Sequence, residues 1–139
     1  MDDIVVNKAA MIERCVRRIG EEYGGDDANL TGNLTKQDSI ILNLQRACEA
    51  AIDLAMHLVR VHRLGVPQDS REGFDLLRDA GFIEAELADR LRAMVGFRNL
   101  AVHDYRALDL VIVRSIISNR LADFLGFSEL AVRSDGFRR

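Results

Sequence analysis

Apolar residues recur along this chain at steps of three and four and almost nowhere in strict alternation, the pattern of amphipathic helices rather than strands. The first stripe, Ile4, Met11, Ile12, Cys15, Ile19 and Tyr23, predicts a helix over 2–23 that Gly24 and Gly25 end. After the polar stretch GGDDANLTGNLT, Thr35 or Asp38 is positioned to cap the second helix. That helix is the longest, with Ile41, Leu44, Cys48, Ile52, Ala55, Leu58 and His62 on one stripe, and Gly65 and Pro67 stop it after about Leu64. About 30 residues at a 1.5 Å rise make a rod of about 40 Å.

Asp69 and Glu72 have the spacing of a capping box and open a short third helix, with Phe74 and Leu77 inward and Gly81 at its C′ position. A fourth helix starts near Ile83 and carries Leu87, Leu91, Met94, Val95 and Val102. A fifth runs from about Leu108 to Leu125. Its β-branched run Val111, Ile112 and Val113 is strand-like, but the apolar steps continue to Ile116, Ile117, Leu121 and Phe124 and favour a helix. Residues 1–125 therefore read as one all-α domain, an up-and-down bundle of four to five helices. Residues 126–139, with Gly126, Gly136 and the terminal Arg138 and Arg139, read as an irregular tail. The second helix is long for so small a bundle. An uncovered apolar flank on it calls for a second copy of the chain, so a homodimer is expected.

Composition narrows the class. The chain has 139 residues, enough for one core, and its 48% hydrophobic and 29% charged residues are those of a soluble globular protein. No apolar run approaches the roughly 20 residues that span a bilayer, and the opening MDDIVVNKAA is acidic where a signal peptide is basic. A cytoplasmic protein with no membrane contact is expected. A net charge of −3 excludes broad electrostatic coating of nucleic acid. Of the basic residues only Lys8 and Lys36 are lysines; the rest are arginines, whose planar fork suits phosphate and carboxylate oxygens. Cys15 and Cys48 sit at apolar helical positions without a C-x-x-C pair, so both are expected to be reduced and buried. His57, His62 and His103 have no metal-ligand spacing, and neither a metal nor another cofactor is expected. His57 and His62 read as core-edge residues.

The pattern changes in RNLAVHDY, Arg98 to Tyr105. The fourth stripe passes through Leu91, Val95, Arg98, Val102 and Tyr105, so Arg98 takes an inward position where leucine is usual. A buried charge without an acceptor costs several kcal/mol, so this arginine needs an acceptor, a solvated cleft or a subunit junction. His103 lies five residues on, about 140° away around an unbroken helix. A break between Leu100 and His103 brings arginine and histidine together; a continuous helix stacks Arg98 with Tyr105 instead. If they converge, the histidine can move a proton near neutrality and the arginine can hold a phosphoryl group as charge builds on it. Such a pair suffices to cleave RNA without metal, with the same histidine of a second subunit as the other proton-transfer group. Tyr105 can position the phosphate or stack on a base.

This segment resembles the R-x4-6-H motif of HEPN domains, in the R-x4-H-x-Y form of HepT toxins, and the likeness extends to an all-helical chain of this length. The resemblance implies a dimeric, metal-independent RNase with its cleft between subunits. It also implies a partner, a minimal nucleotidyltransferase antitoxin of the MntA type that transfers AMP from ATP to the motif tyrosine. Carried over, Arg98 and His103 are the catalytic pair and Tyr105 the modification target. Asn99 and Asp104 are supporting polar groups, and Glu49 and Asp53, one turn apart on the second helix, are placed to orient Arg98. Arg60, Arg63, Arg106 and Arg114 are candidates for a local basic patch that offsets the acidic total. Two alternatives have other sequence consequences. A HEPN-like dimer that only docks a nucleotidyltransferase would not need the intact R-x4-H. A histidine phosphotransfer bundle would usually follow its histidine with lysine and glycine, whereas Asp104, Tyr105 and Arg106 follow His103 here.

Overall fold

Asp2 starts the first helix: its Oδ1 accepts from the backbone N–H groups of Ile4 and Val5, two donors the helix itself leaves unmet. In this computed structural model, which describes the backbone of residues 2–137 and the side chains of residues 2–134, α1 spans Asp3–Tyr23. Its buried face is Val5, Ala9, Ile12, Cys15 and Ile19. Ile4, expected inside, is exposed because the stripe begins one residue later, at Val5. Gly24 and Gly25, both at positive φ, turn the chain. A four-residue α2 (Ala28–Thr31) follows inside the polar loop and buries Leu30.

Helix α3 (Leu34–Val61) is capped by Asn33, whose side chain accepts from Lys36 N, and not by Thr35 or Asp38. It ends before Gly65. Leu64 N bonds to Val59 O and Arg63 N to Arg60 O, with Arg63 itself left-handed at φ 55°. That is a Schellman closure with a non-glycine at C′, a position where a side chain carries a steric cost. The capping reading holds for α4 (Ser70–Asp79): Asp69 Oδ1 accepts from Glu72 N at 2.9 Å. Phe82 N to Leu77 O and Gly81 N to Arg78 O close it around Gly81 at φ 81°. Gly73 lets α4 approach α3, since a Cβ there would lie 3.2 Å from Met56 Sδ.

Helix α5 (Ala85–His103) runs antiparallel to α3 and is followed by a 3-10 turn, Tyr105–Ala107. The expected fifth helix is two: α6 (Leu110–Asn119) and α7 (Leu121–Phe137), broken at Arg120. The expected irregular tail is a second correction. Residues 126–137 continue α7, and Phe124, Phe127, Ser128 and Ala131 are buried at helical spacing. Arg138 and Arg139 lie outside the described residues. Helix α3 lies at the centre, packed on α1 and touching α4, α5 and α7, while α7 also packs along α1. Phe74 of α4 meets Phe127 of α7 edge to face, centroids 5.7 Å apart. Cys15 and Cys48 are both buried free thiols. Among the described residues there is no strand, and no helix is long and apolar enough to cross a membrane.

Candidate functional site

Arg98, on the penultimate turns of α5, is half-buried and reaches toward the start of α4, where its Nη2 donates to Ser70 Oγ at 3.4 Å. Its Nε is buried with no partner among the described residues. The charge lies beside Cys48 of α3: burial pushes the Cys48 thiol far up, and Arg98 opposes that shift. A second guanidinium stands close by. A Cβ on Gly96 would lie 3.2 Å from Arg71 Nη2, so Arg71 lies across α5 just before Arg98. Two guanidinium groups and the first turn of α4 thus favour an anion here. The sequence reading passed over Ser70 and Arg71. The capping pattern Asp69–Glu72 located the helix start, but nothing in the sequence alone indicated that α5 would cross it.

Helix α5 does not break between Leu100 and His103. It continues to His103 and ends at Asp104, whose N–H bonds to Leu100 O at 2.8 Å and whose backbone turns to φ −151°, ψ 67°. On this unbroken helix Arg98 and His103 point about 140° apart. His103 is exposed, and Val102 beside it is 47% exposed, the inward place being taken by Ala101. Neither of the two expected arrangements holds. Arginine and histidine do not converge on one face, and the break at Asp104 takes Tyr105 off the helix before it can stack on Arg98. Tyr105 instead enters the 3-10 turn and donates its hydroxyl hydrogen to Asp38 Oδ1 of α3 at 2.5 Å. Partial burial and that carboxylate push the Tyr105 hydroxyl up to about 12. Asn99 is half-buried and Asp104 exposed.

Glu49 and Asp53 do not serve Arg98. They line a groove against α1 with Lys8, Met11 and Arg14: Asp53 pairs with Lys8 at 3.0 Å, and Glu49 accepts from Gln45 Nε2 of its own helix at 2.9 Å. The next-door position, Cys48, is the one turned to Arg98, because a one-residue step on a helix swings a side chain by about 100°. The expected basic patch also dissolves. Arg114 is paired with Asp27 at 2.7 Å, and Arg60 donates to His57 Nδ1 at 2.9 Å. Arg60 and Asp38 sit near opposite ends of α3, about 33 Å apart at 1.5 Å per residue, so Arg60 and Arg63 cannot join Arg106 beside Tyr105. His57 is buried between Asp2 and Arg60, and His62 packs on Phe82 with centroids 4.7 Å apart.

These features define a class: a helical bundle with an R-x4-H-x-Y motif at an exposed helix end, its arginine carrying a donor without an acceptor among the described residues. Residues 12–131 match the family described as ribonuclease HepT-like, and the chain belongs to that family. It is 48% identical over 130 residues to the mRNA nuclease HepT of Shewanella oneidensis, covering 94% of this chain and 97% of that one. It is 32% identical over 88 residues to a putative RNase of Archaeoglobus fulgidus, covering 63% of this chain and 66% of that one. Among solved structures it superposes on the tri-AMPylated Shewanella oneidensis HEPN toxin in complex with MNT antitoxin. The TM-score is 0.89 at 47% identity, over 96% of this chain and 99% of the other. A toxin–antitoxin crystal structure with AMP-PNP matches with a TM-score of 0.89 at 46% identity, over the same shares.

Proposed function

We propose that this chain is a metal-independent endoribonuclease toxin of the cytoplasm, working as a homodimer. A nucleotidyltransferase antitoxin of the MntA type silences it by transferring AMP from ATP to Tyr105. The observation that carries this reading is the intact R-x4-H-x-Y at the end of α5 in a chain nearly half identical to an mRNA nuclease.

In this reading His103 takes the proton of a ribose 2′-hydroxyl or gives one to the leaving oxygen. Arg98, whose Nε has no acceptor among the described residues, holds the phosphate as negative charge develops. Asn99 and Asp104 flank the pair as supporting polar groups. Because the two side chains diverge on one helix, the pocket is completed by the second subunit. An apolar face beside the motif suits that second copy: Leu100, Val102, Val111 and Ile112 are all exposed. Next to them a cavity of about 360 Å³ opens between α5 and α6, lined by Met94, Phe97, Leu108 and Ile116 among others.

The test is RNA cleavage by purified protein in excess EDTA. Activity should persist, and Arg98→Ala and His103→Ala should each lower it by about 100-fold or more. Mixing the two inactive variants should restore roughly a quarter of it: half the dimers are then mixed, each with one intact site of two. No recovery on mixing rejects the shared pocket, and a magnesium requirement rejects the mechanism. Mass added in AMP units at Tyr105 on incubation with the transferase and ATP tests the silencing step. A wild-type chain that cuts no RNA and still binds the transferase is the docking module.

A further inference from the structure

The Tyr105 hydroxyl is not free in solvent. It is held 2.5 Å from Asp38 Oδ1, across 67 positions of sequence, by the turn that ends α5. Both residues are exposed at the surface, so the pair is open to another protein while it remains intact. Among the described residues Asp38 forms no ion pair, and no cation competes for its lone pairs. A phenol is a weak nucleophile until its proton leaves. With its hydroxyl pushed up to about 12, roughly one Tyr105 in 10⁵ is ionised at pH 7, so waiting for tyrosinate is slow. A carboxylate already in hydrogen-bond contact removes that wait by taking the proton during attack.

We infer that Asp38 is the general base of the AMP transfer, supplied by the protein that is modified rather than by the transferase. This rests on the reading of Tyr105 as the AMP acceptor. In the step, Tyr105 Oη bonds to the α-phosphorus of ATP, and the bond from that phosphorus to the β-phosphate oxygen breaks. Pyrophosphate leaves with the electron pair, and the phenolic proton passes to Asp38 Oδ1 and on to water. The product cannot restore the Tyr105–Asp38 bond, because the oxygen no longer carries hydrogen and the new phosphodiester bears a negative charge beside the carboxylate. Modification therefore also releases the 3-10 turn from α3.

The experiment follows the first AMP addition to the full-length protein, with the partner nucleotidyltransferase and radiolabelled ATP. Asp38→Asn should slow it by about 10²–10⁴-fold, with melting temperature and transferase binding measured alongside. Its rate should rise with pH between about 6 and 9, because only tyrosinate then reacts, while the wild-type rate stays nearly level. Asp38→Glu should recover most of the rate. Asp38→Ala should be rescued in proportion to added formate, a readout that compares one variant with itself and that a merely structural carboxylate would not give. Equal or faster modification of Asp38→Asn overturns the inference, as does a slower reaction with an unchanged pH profile and no formate rescue. Failure of the wild-type chain to accept AMP at Tyr105 overturns instead the reading on which it rests.

Discussion

Helix α3 presents two flanks with the same kinds of residue and opposite outcomes. Toward α1 its polar groups are answered: Asp53 by Lys8, Glu49 by Gln45, and His57 by Asp2 on one ring nitrogen and Arg60 on the other. Beside Arg98, on the α5 side, it offers Cys48 and no carboxylate, and Arg98 arrives there with a serine hydroxyl at 3.4 Å and an Nε that has no acceptor among the described residues. A helix able to place two acids on one flank, and Asp38 under Tyr105, has placed none beside Arg98. The lesson is that an unanswered donor beside a well-satisfied framework marks the place where the acceptor comes from outside the fold.

The contrast can be broken by substitution, beginning with the largest effect. Replacing exposed His103 by alanine should lower RNA cleavage by about 10²–10⁴-fold and leave stability within about 0.5 kcal/mol. A matching drop in the urea midpoint would move His103 to the structural side of the comparison. Next, Arg98→Leu should cost about 10²–10³-fold in cleavage and yet leave the urea midpoint equal or higher, because a half-buried donor without an acceptor has been removed. Clear destabilisation would show that the arginine is answered after all.

On the satisfied flank the expected losses are of stability alone. Asp2→Ala removes the α1 cap and the partner of His57, at about 1 kcal/mol for the cap. The bond from His57, and then the α1 backbone N–H groups, hold the Asp2 carboxyl below its ordinary 3.8. A lowered folded value means the contribution is complete above about pH 4 and disappears as pH falls through that lower value. The gap between wild type and Asp2→Asn in urea titrations should therefore close on acidification; a gap independent of pH would remove the charge from the argument. Smallest is Lys8→Ala, which should cost about 0–1 kcal/mol because its partner Asp53 is largely solvated.

How far the sequence could be read followed the range of each interaction. Asp69, Glu72 and Gly81 act within one helix, and α4 begins and closes where those residues place it. The R-x4-H-x-Y motif was readable because its residue types and spacing are local. Failures came where the competing residue was equally local or the partner distant. Asn33 captures the α3 cap two positions before Thr35. Arg120 breaks a stripe whose apolar steps continue unbroken on either side. Gly126 and Gly136 suggested a tail, whereas Phe124, Phe127 and Ala131 carry the helical period through. Glu49 and Asp53 had the correct spacing for one face, but spacing does not say which neighbour that face meets. The bond from Tyr105 to Asp38 has no sequence signal at all, since it depends on α5 lying antiparallel on α3 and on the turn at Asp104.

The packing of α7 along α1, with Phe124 and Phe127 wholly buried, bears on how a growing chain can fold. A nascent chain that stops short of α7 lacks the apolar wall that seals the first helix, and domains of this size fold as units. Until α7 is in place α1 keeps an uncovered apolar flank, so the bundle closes as a whole rather than helix by helix.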